Sequence, residues 1–309
     1  MPFPIAAGSV VSPAYSGTFI PEIWSAKLIQ KFYAATVLAA ISNTDYEGEI
    51  KAQGDKVKIR TVPDIVISDY TAGQNLTVQR PTSAIVELNV DKGKYWNAIV
   101  DDVIAVQTDI DMMNKWSGDA SEKMKITIDR DVLAVLGALT NAANRSATAG
   151  KLSANINLGV TGTPLALTKS NVLEVLVDLN ETLSQQNIPE VDRWFVIPYW
   201  VSSLIKKSDI KDASLSGDGT SVLRNGRIGM IDGTTIYSSN NLPQVTDTGL
   251  SCSNIYAGHR NALTFASQLI KTETLRAETT FGDLMRGLQV YGYQMIDPTA
   301  MASAYVYKA

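Results

Sequence analysis

The chain has 309 residues, of which 45% are hydrophobic and 19% are charged, so it can bury a large core and is not a disordered chain. Its formal net charge of −4 argues against the basic footprint that tight nucleic-acid binding requires. A single cysteine, Cys252, excludes an internal disulfide framework. The first residues show no basic stretch followed by an apolar core, and no run of about 18 apolar residues occurs, so we expect neither a signal peptide nor a membrane span.

The first part of the chain predicts an arm followed by a helix. Residues 1–20 are rich in Pro, Gly, Ser and Ala, which is typical of an extended segment outside a core. Pro21 suits the first turn of a helix. The apolar side of that helix is predicted to hold Ile23, Trp24, Leu28, Phe32 and Val37.

Two strictly alternating segments, 56–62 and 86–91, predict a pair of strands with complementary charge. The polar faces are Lys56, Lys58 and Arg60 on the first strand, and Glu87, Asn89 and Asp91 on the second. A connection as long as 63–82 is unusual in a compact domain. We therefore predict an antiparallel hairpin that leaves the body and lies on a neighbouring molecule. The alternative is an ordinary sheet edge with a mobile loop.

The longest predicted element is a helix over residues 108–143, which would span ~50 Å. Its apolar residues, in steps of three and four, are Met113, Trp116, Ala120, Met124, Ile128, Val132, Val135 and Leu139. Thr108 and Asp111 fit a capping box at its start, and Asn144 and Gly150 lie where it should stop. Because Gly118 disfavours a helix interior, two shorter helices are the alternative.

The second half of the chain predicts mixed elements. A polar connection at 146–168 is a candidate domain boundary, and a flexible Ser/Gly loop covers 214–221. Helices are predicted at 170–186 and around 201–205, and strands at 194–197, 235–237, 288–294 and 304–307. Helices and strands follow one another without a βαβ rhythm, so the predicted class is α+β.

Signals for catalysis are weak. The one histidine, His259, follows Cys252 by seven residues, but no nucleophile elbow occurs and spacing alone does not make a catalytic pair. The chain also lacks the cluster of Cys and His that a zinc site needs. We predict no catalytic, metal-binding or cofactor-binding residue, and hence a protein that is not an enzyme.

Two weaker patterns have simpler explanations. Asp101-Asp102 and Asp109 with Asp111 could hold Mg²⁺, but the latter pair better complements the positive end of the long helix. Residues 226–229 match the GXXG letters of a KH domain. In an acidic chain, tight turns around a strand account for those glycines better.

Three runs of residues resemble the major capsid (coat) proteins of tailed phages with the Hong Kong 97-like fold, nearest the branch of short-tailed enteric phages. They are Leu223–Pro243, Gly258–Ala266 and Phe281–Gly292, in the order that such proteins have them. The resemblance implies an N-terminal arm and helix (1–46) and an extended hairpin loop (47–95). It also implies a peripheral domain with a spine helix (96–150), an axial domain (151–268) and C-terminal strands that return to both domains (269–309).

The resemblance implies a structural subunit that self-assembles, as hexamers and pentamers, into an icosahedral shell around double-stranded DNA. Expected partners are a separate scaffolding protein, a portal protein and a decoration protein, with packaged DNA contacted only weakly and non-specifically and no membrane. Assembly is expected in the host bacterial cytoplasm, and the product is a virion capsid. The alternatives are an encapsulin-type compartment shell and, more distantly, a soluble α+β enzyme or binding module.

Candidate contacts between subunits follow from these expectations. On the hairpin they are Lys56, Lys58, Arg60, Glu87 and Asp91. In the loop at 214–221, which we expect at the centre of a pentamer or hexamer, they are Ser216, Gly217, Asp218 and Gly219.

Overall fold

A computed structural model describes residues 33–46, 56–63, 65–103, 112–208, 227–278 and 280–309. Several sequence predictions concern residues outside these ranges. They are the extended arm at 1–20, the start of the following helix at Pro21 with Ile23, Trp24, Leu28 and Phe32, the capping box of Thr108 and Asp111, and the loop at 214–221 with Ser216, Gly217, Asp218 and Gly219.

The described helices and strands alternate irregularly along the chain. The helices are α1 (Leu38–Ile41), α2 (Met112–Leu139), α3 (Val172–Gln185) and α4 (Tyr199–Lys207). The strands are β1 (Lys56–Arg60), β2 (Ile85–Asn89), β3 (Lys92–Asp101), β4 (Leu165–Leu167), β5 (Arg193–Ile197), β6 (Arg227–Ile231), β7 (Thr234–Ser238), β8 (Gln244–Asp247), β9 (Leu250–His259), β10 (Leu263–Arg276), β11 (Gly282–Met295) and β12 (Met301–Lys308). This arrangement confirms the predicted α+β class.

A seven-stranded sheet has the order β4-β12-β9-β5-β7-β6, with β8 paired to β9. Strand β5 is buried on both faces because its side chains alternate between two cores. Phe195 and Ile197 pack with α3 and α4, whereas Trp194 and Val196 pack with the C-terminal half of α2. The sheet therefore forms the middle layer of an α/β/α arrangement.

A second sheet has three antiparallel strands in the order β10-β11-β3. Its strands are long, and β11 pairs with β3 from Tyr291 opposite Lys92 to Gly282 opposite Asp101. Gly292 lies where β2 crosses this sheet, and a Cβ atom there would collide with the Asn89 carbonyl. The glycine thus lets the hairpin of β1 and β2 pack closely on the sheet.

Helix α2 is the predicted spine helix, and it runs without a break through Ser117-Gly118. Its 28 residues span ~42 Å. The helix ends at Leu139, earlier than the predicted 143. Arg145 accounts for this end, because its Nη1 donates to the carbonyls of Gly137 and Ala138 at 2.7 and 3.1 Å and so satisfies acceptors of the last turn.

The predicted buried stripe of the spine helix is right only in part. Ile128 and Val132 are buried, but Trp116 is 41% exposed and Val135 is 36% exposed. In the C-terminal half of the helix, Leu136 is buried in place of Val135. Both sheets pack against that half, so the buried face lies at a different angle around the helix axis there. Lys94 of β3 joins the helix there through an ion pair of 2.5 Å with Asp131.

One further boundary differs from the sequence prediction. Val37 is not part of a long helix, because residues 33–37 are not helical and Val37 is the N-cap of α1. The candidate domain boundary at 146–168 stays a prediction, but this connection contributes to a core. Its apolar residues Ala149, Ile156 and Leu158 are buried in the core beneath α3, which closes that side of the sheet.

Candidate subunit interface

Strands β1 and β2 form the predicted antiparallel hairpin, with Lys58 opposite Glu87 and Arg60 opposite Ile85. Beyond the strands, the same register continues through isolated hydrogen bonds. The Thr61 amide donates to the Ala84 carbonyl at 3.0 Å. Farther out, the Gln79 side chain bonds both backbone groups of Val66, at 2.6 and 3.1 Å. The connection at 63–82 is therefore the distal part of one long hairpin.

The hairpin closes in a tight turn at Thr71–Gln74. The Gln74 amide donates to the Thr71 carbonyl at 3.0 Å, and Gly73 adopts a φ of +86°. Only a glycine takes that conformation without strain, as position three of a type II turn requires. The turn fixes where the two arms reverse and so supports the register of the whole hairpin.

The distal hairpin exposes a row of large apolar side chains. Near the body, Ile59 and Leu88 are buried in a small core with Val90 and Ala266. Directly opposite residues of an antiparallel pair share a face. Extending the register places Ile65, Ile67, Leu76 and Val78 on the face that carries this core, and they are 69%, 95%, 75% and 85% exposed. An apolar face that continues past the end of its own core indicates a contact with another molecule.

The opposite face of the hairpin stem carries an excess of positive charge. Lys56 and Lys58 both approach Glu87, with Nζ–Oε distances of 3.9 and 3.4 Å. Within the described part of the chain, Arg60 has no carboxylate at ion-pair distance. The predicted pairing with Glu87 is confirmed, whereas the pairing with Asp91 is wrong. Asp91 lies beyond the end of β2 and pairs with Lys92 at 3.0 Å.

Sequence reasoning selected the charged residues of the hairpin and missed its apolar row. The signal was present, because Ile65-Val66-Ile67 is an apolar run on one arm and Leu76 and Val78 alternate with Thr77 on the other. It was hidden by Pro63, Gly73 and Pro81, which made the segment look like a loop.

The outer face of the three-stranded sheet carries a second polar cluster that the sequence did not reveal. Arg286 donates to Glu273 at 3.0 Å, and Lys271 also pairs with that carboxylate. These two hydrogen bonds, first from Lys271 and then from Arg286, hold the pKa of Glu273 below its usual value. The cluster borders a shallow hollow with Tyr95 and Leu288, and such exposed pairs contribute only ~0–1 kcal/mol each.

The remaining candidates for chemistry do not form a site. Cys252 is buried on β9, and His259 ends the same extended strand, ~24 Å away at ~3.4 Å per residue. Asp102 is paired with Arg276. Among the described residues, no group of His, Cys, Asp or Glu is arranged to hold a metal ion. None of the described helices is long and apolar enough to cross a membrane.

A family model for phage capsid proteins matches residues 85–304, more than two-thirds of the chain. The chain belongs to the phage capsid protein family. It is a structural major capsid protein of a tailed phage, and this match favours a virion capsid over an encapsulin compartment. No curated protein matches the sequence of this capsid protein.

Solved capsids share the fold of this capsid protein along nearly the whole chain. The structure from Mycobacterium phage Che8 is 27% identical, with a TM-score of 0.76 over 93% of this chain and 97% of that one. The capsid of cyanophage Pam1 is 11% identical, with a TM-score of 0.73 over 96% and 99%. That of cyanophage P-SCSP1u is 18% identical, with a TM-score of 0.70 over 95% of each chain. The fold is the Hong Kong 97-like capsid fold, and such subunits assemble into shells.

Proposed function

We propose that this capsid protein builds its shell by laying the distal hairpin of each subunit on an adjacent copy. The supporting observation is the apolar row of Ile65, Ile67, Leu76 and Val78, which continues the buried face of the stem into solvent. Fully burying one such side chain stabilises a contact by ~1.5–3 kcal/mol. Four of them at every contact contribute ~6–12 kcal/mol toward holding the hairpin against a neighbour.

In this proposal the copies form hexamers and pentamers of an icosahedral shell around phage double-stranded DNA. The loop at 214–221 contacts its symmetry mates at the centre of each ring. Residues 96–150 form the peripheral domain and residues 151–268 form the axial domain. The N-terminal arm and helix are residues 1–46, the extended hairpin loop is 47–95, and the returning strands are 269–309. The net charge of −4 supports only weak, non-specific contact with the packaged DNA.

The proposal includes accessory proteins but no catalysis by this chain. A separate scaffolding protein, a portal protein and a decoration protein complete the particle, which assembles in the host bacterial cytoplasm. The match to the family model for phage capsid proteins supports this structural role.

Expression of the chain, with and without a co-expressed scaffolding protein, tests the proposed self-assembly. We expect hexamers, pentamers or closed particles on size exclusion, and rings or shells by electron microscopy. A subunit that stays monomeric in every preparation would contradict the proposal.

Reversing Lys58 and Arg60 to glutamate is expected to spare folding of the subunit but to lower particle yield at low salt. The two changes remove the positive excess of the hairpin stem, and only one of them disturbs a described ion pair. The defect should ease at 1 M salt, where a Debye length of ~3 Å screens the repulsion. Particle yield against salt, with circular dichroism of the subunit, provides the measurement.

A charge swap separates the two possible origins of that defect. Adding Glu87→Lys to the variant with Lys58→Glu and Arg60→Glu restores an ion pair across the hairpin, because positions 58 and 87 are directly opposite, but it does not restore the positive excess. If the swap restores normal yield, the charges act only within the hairpin and the proposed intersubunit role is wrong. If the yield stays low, the positive row meets another subunit.

A further inference from the structure

One buried carboxylate joins three distant parts of the chain. Asp129, in the middle of the spine helix, is fully buried, and its Oδ1 accepts hydrogen bonds from the amides of Val37 and Leu38 at 3.0 and 2.9 Å. Its Oδ2 accepts a bond of 2.6 Å from Nδ2 of Asn241, in the loop after β7. The same carboxylate thus contacts the segment before α1, the spine helix and the seven-stranded sheet.

The loop after β7 also holds the same N-terminal segment directly. Ser239 and Asn241 both donate to the Ala35 carbonyl, at 3.1 and 3.3 Å. Both side chains are buried, and the Ser239 amide donates to the Ile197 carbonyl at the end of β5. Residues 33–38 therefore form a strap held from two sides, by the helix and by the sheet.

Two features make this junction weaker than its hydrogen bonds suggest. Burial raises the pKa of Asp129 above its usual value even though three donors face it, because removal from water disfavours the charged form. No described Lys, Arg or His lies at ion-pair distance from this carboxylate. The Oδ1 atom of Asn241 is also buried and has no hydrogen-bond partner among the described residues. Opening the junction would rehydrate both groups, which offsets part of the loss of these bonds.

We propose that Asp129 and Asn241 form a latch that releases the strap from the spine helix and from the seven-stranded sheet in one step. Release would expose Val37 and Leu38, which are buried between the spine helix and the sheet, whereas the core beneath α3 and α4 is built from other residues and would stay intact. Tyr33, in the same strap, is 41% exposed, and its hydroxyl donates a hydrogen bond of 2.8 Å to Asp119 on the spine helix. Such a latch would let the N-terminal segment change its course between states of the protein.

Hydrogen exchange of the full chain tests this latch with the variant Asp129→Asn. The substitution keeps the size of the side chain but presents an amide N–H₂ to Nδ2 of Asn241. We expect exchange to accelerate ~10-fold in peptides covering 33–41 and, to a similar extent, in peptides covering 238–243. Exchange in α3 and β12 should stay unchanged.

Two further variants keep the test decisive. Asp131→Asn removes the same charge from the same helix, but Asp131 contacts Lys94 and Tyr291 and leaves the strap intact, so neither segment should accelerate. Asn241→Ala breaks the latch from the sheet side and should accelerate exchange at 33–41, even if Asp129→Asn does not fold. The latch would be overturned if Asp129→Asn accelerated hydrogen exchange at 33–41 but not at 238–243. It would also be overturned if Asn241→Ala left exchange at 33–41 unchanged. Acceleration throughout the chain would also overturn it.

Discussion

Replacing Ile67 and Val78 together by aspartate is expected to reduce particle yield at least ~10-fold while the subunit stays folded. The two residues are directly opposite in the register of the hairpin and are 95% and 85% exposed, so their replacement disturbs no core of the subunit. In the proposed contact, each change removes ~1.5–3 kcal/mol of apolar burial and places a carboxylate where water is excluded. Because every subunit carries the change, the loss recurs at each contact of the shell.

Size exclusion and electron microscopy of the variant measure the yield, and circular dichroism reports folding. The control is Ser68→Asp with Thr77→Asp, which adds the same two charges to the next pair of opposite residues. In the register these residues point to the other face of the hairpin. We expect the control to assemble with near-normal yield. Normal particles from the Ile67 and Val78 variant would contradict the proposed contact, and equal loss in both variants would indicate charge on the hairpin, not burial, as the cause.

Local pattern was sufficient to predict the elements whose neighbours are close in sequence. The alternation at 56–62 and 86–91 predicted both strands of the stem, and the pairing of Lys58 with Glu87 followed from their charges. The periodicity of the spine helix predicted one helix through Gly118, since three-residue and four-residue steps continue on both sides of it. The consecutive apolar run at 194–197 predicted a strand, and the structure buries that strand on both faces.

Elements that depend on distant contacts were predicted less well. The buried face of the spine helix shifts from Val135 to Leu136 because two sheets pack against its C-terminal half, and periodicity alone cannot show where they lie. Helix α1 is capped by Asp129, 91 residues away from Leu38, so no local signal marks its start. The apolar row of the hairpin was missed for a different, local reason. A pattern typical of a strand lay within a segment whose prolines indicated a loop.

Arg193 is buried on β5, and its guanidinium donates hydrogen bonds both to α3 and to the turn that follows it. Its Nε donates to the Pro189 carbonyl at 2.8 Å, and its Nη2 donates to the Ile188 carbonyl at 2.5 Å. Its Nη1 donates to Oδ1 of Asn180 at 2.6 Å and to Oγ of Ser184 at 3.0 Å. The guanidinium thus fixes the turn between α3 and β5 to the helix itself.

The same cluster extends to the hairpin between β6 and β7. Nδ2 of Asn180 donates to Oδ2 of Asp232 at 2.6 Å, and Asp232 and Gly233 both adopt positive φ at the turn of that hairpin. Two successive left-handed residues form a type I′ turn, which suits a two-residue hairpin. Arg193 therefore supports the turn through Asn180, and its loss should affect two connections at once.

We expect Arg193→Met to lower the free energy of unfolding of the subunit by ~3–5 kcal/mol. Methionine fills much of the volume but leaves several buried acceptors without a donor, and each unsatisfied group costs ~1–3 kcal/mol. Urea unfolding of the unassembled subunit measures the change. The matched control is Arg145→Met, because Arg145 also donates to two backbone carbonyls but is exposed, so water can replace it. The control should lose less than ~1 kcal/mol. Equal losses of unfolding free energy in the two variants would contradict burial as the reason for the larger effect expected at Arg193.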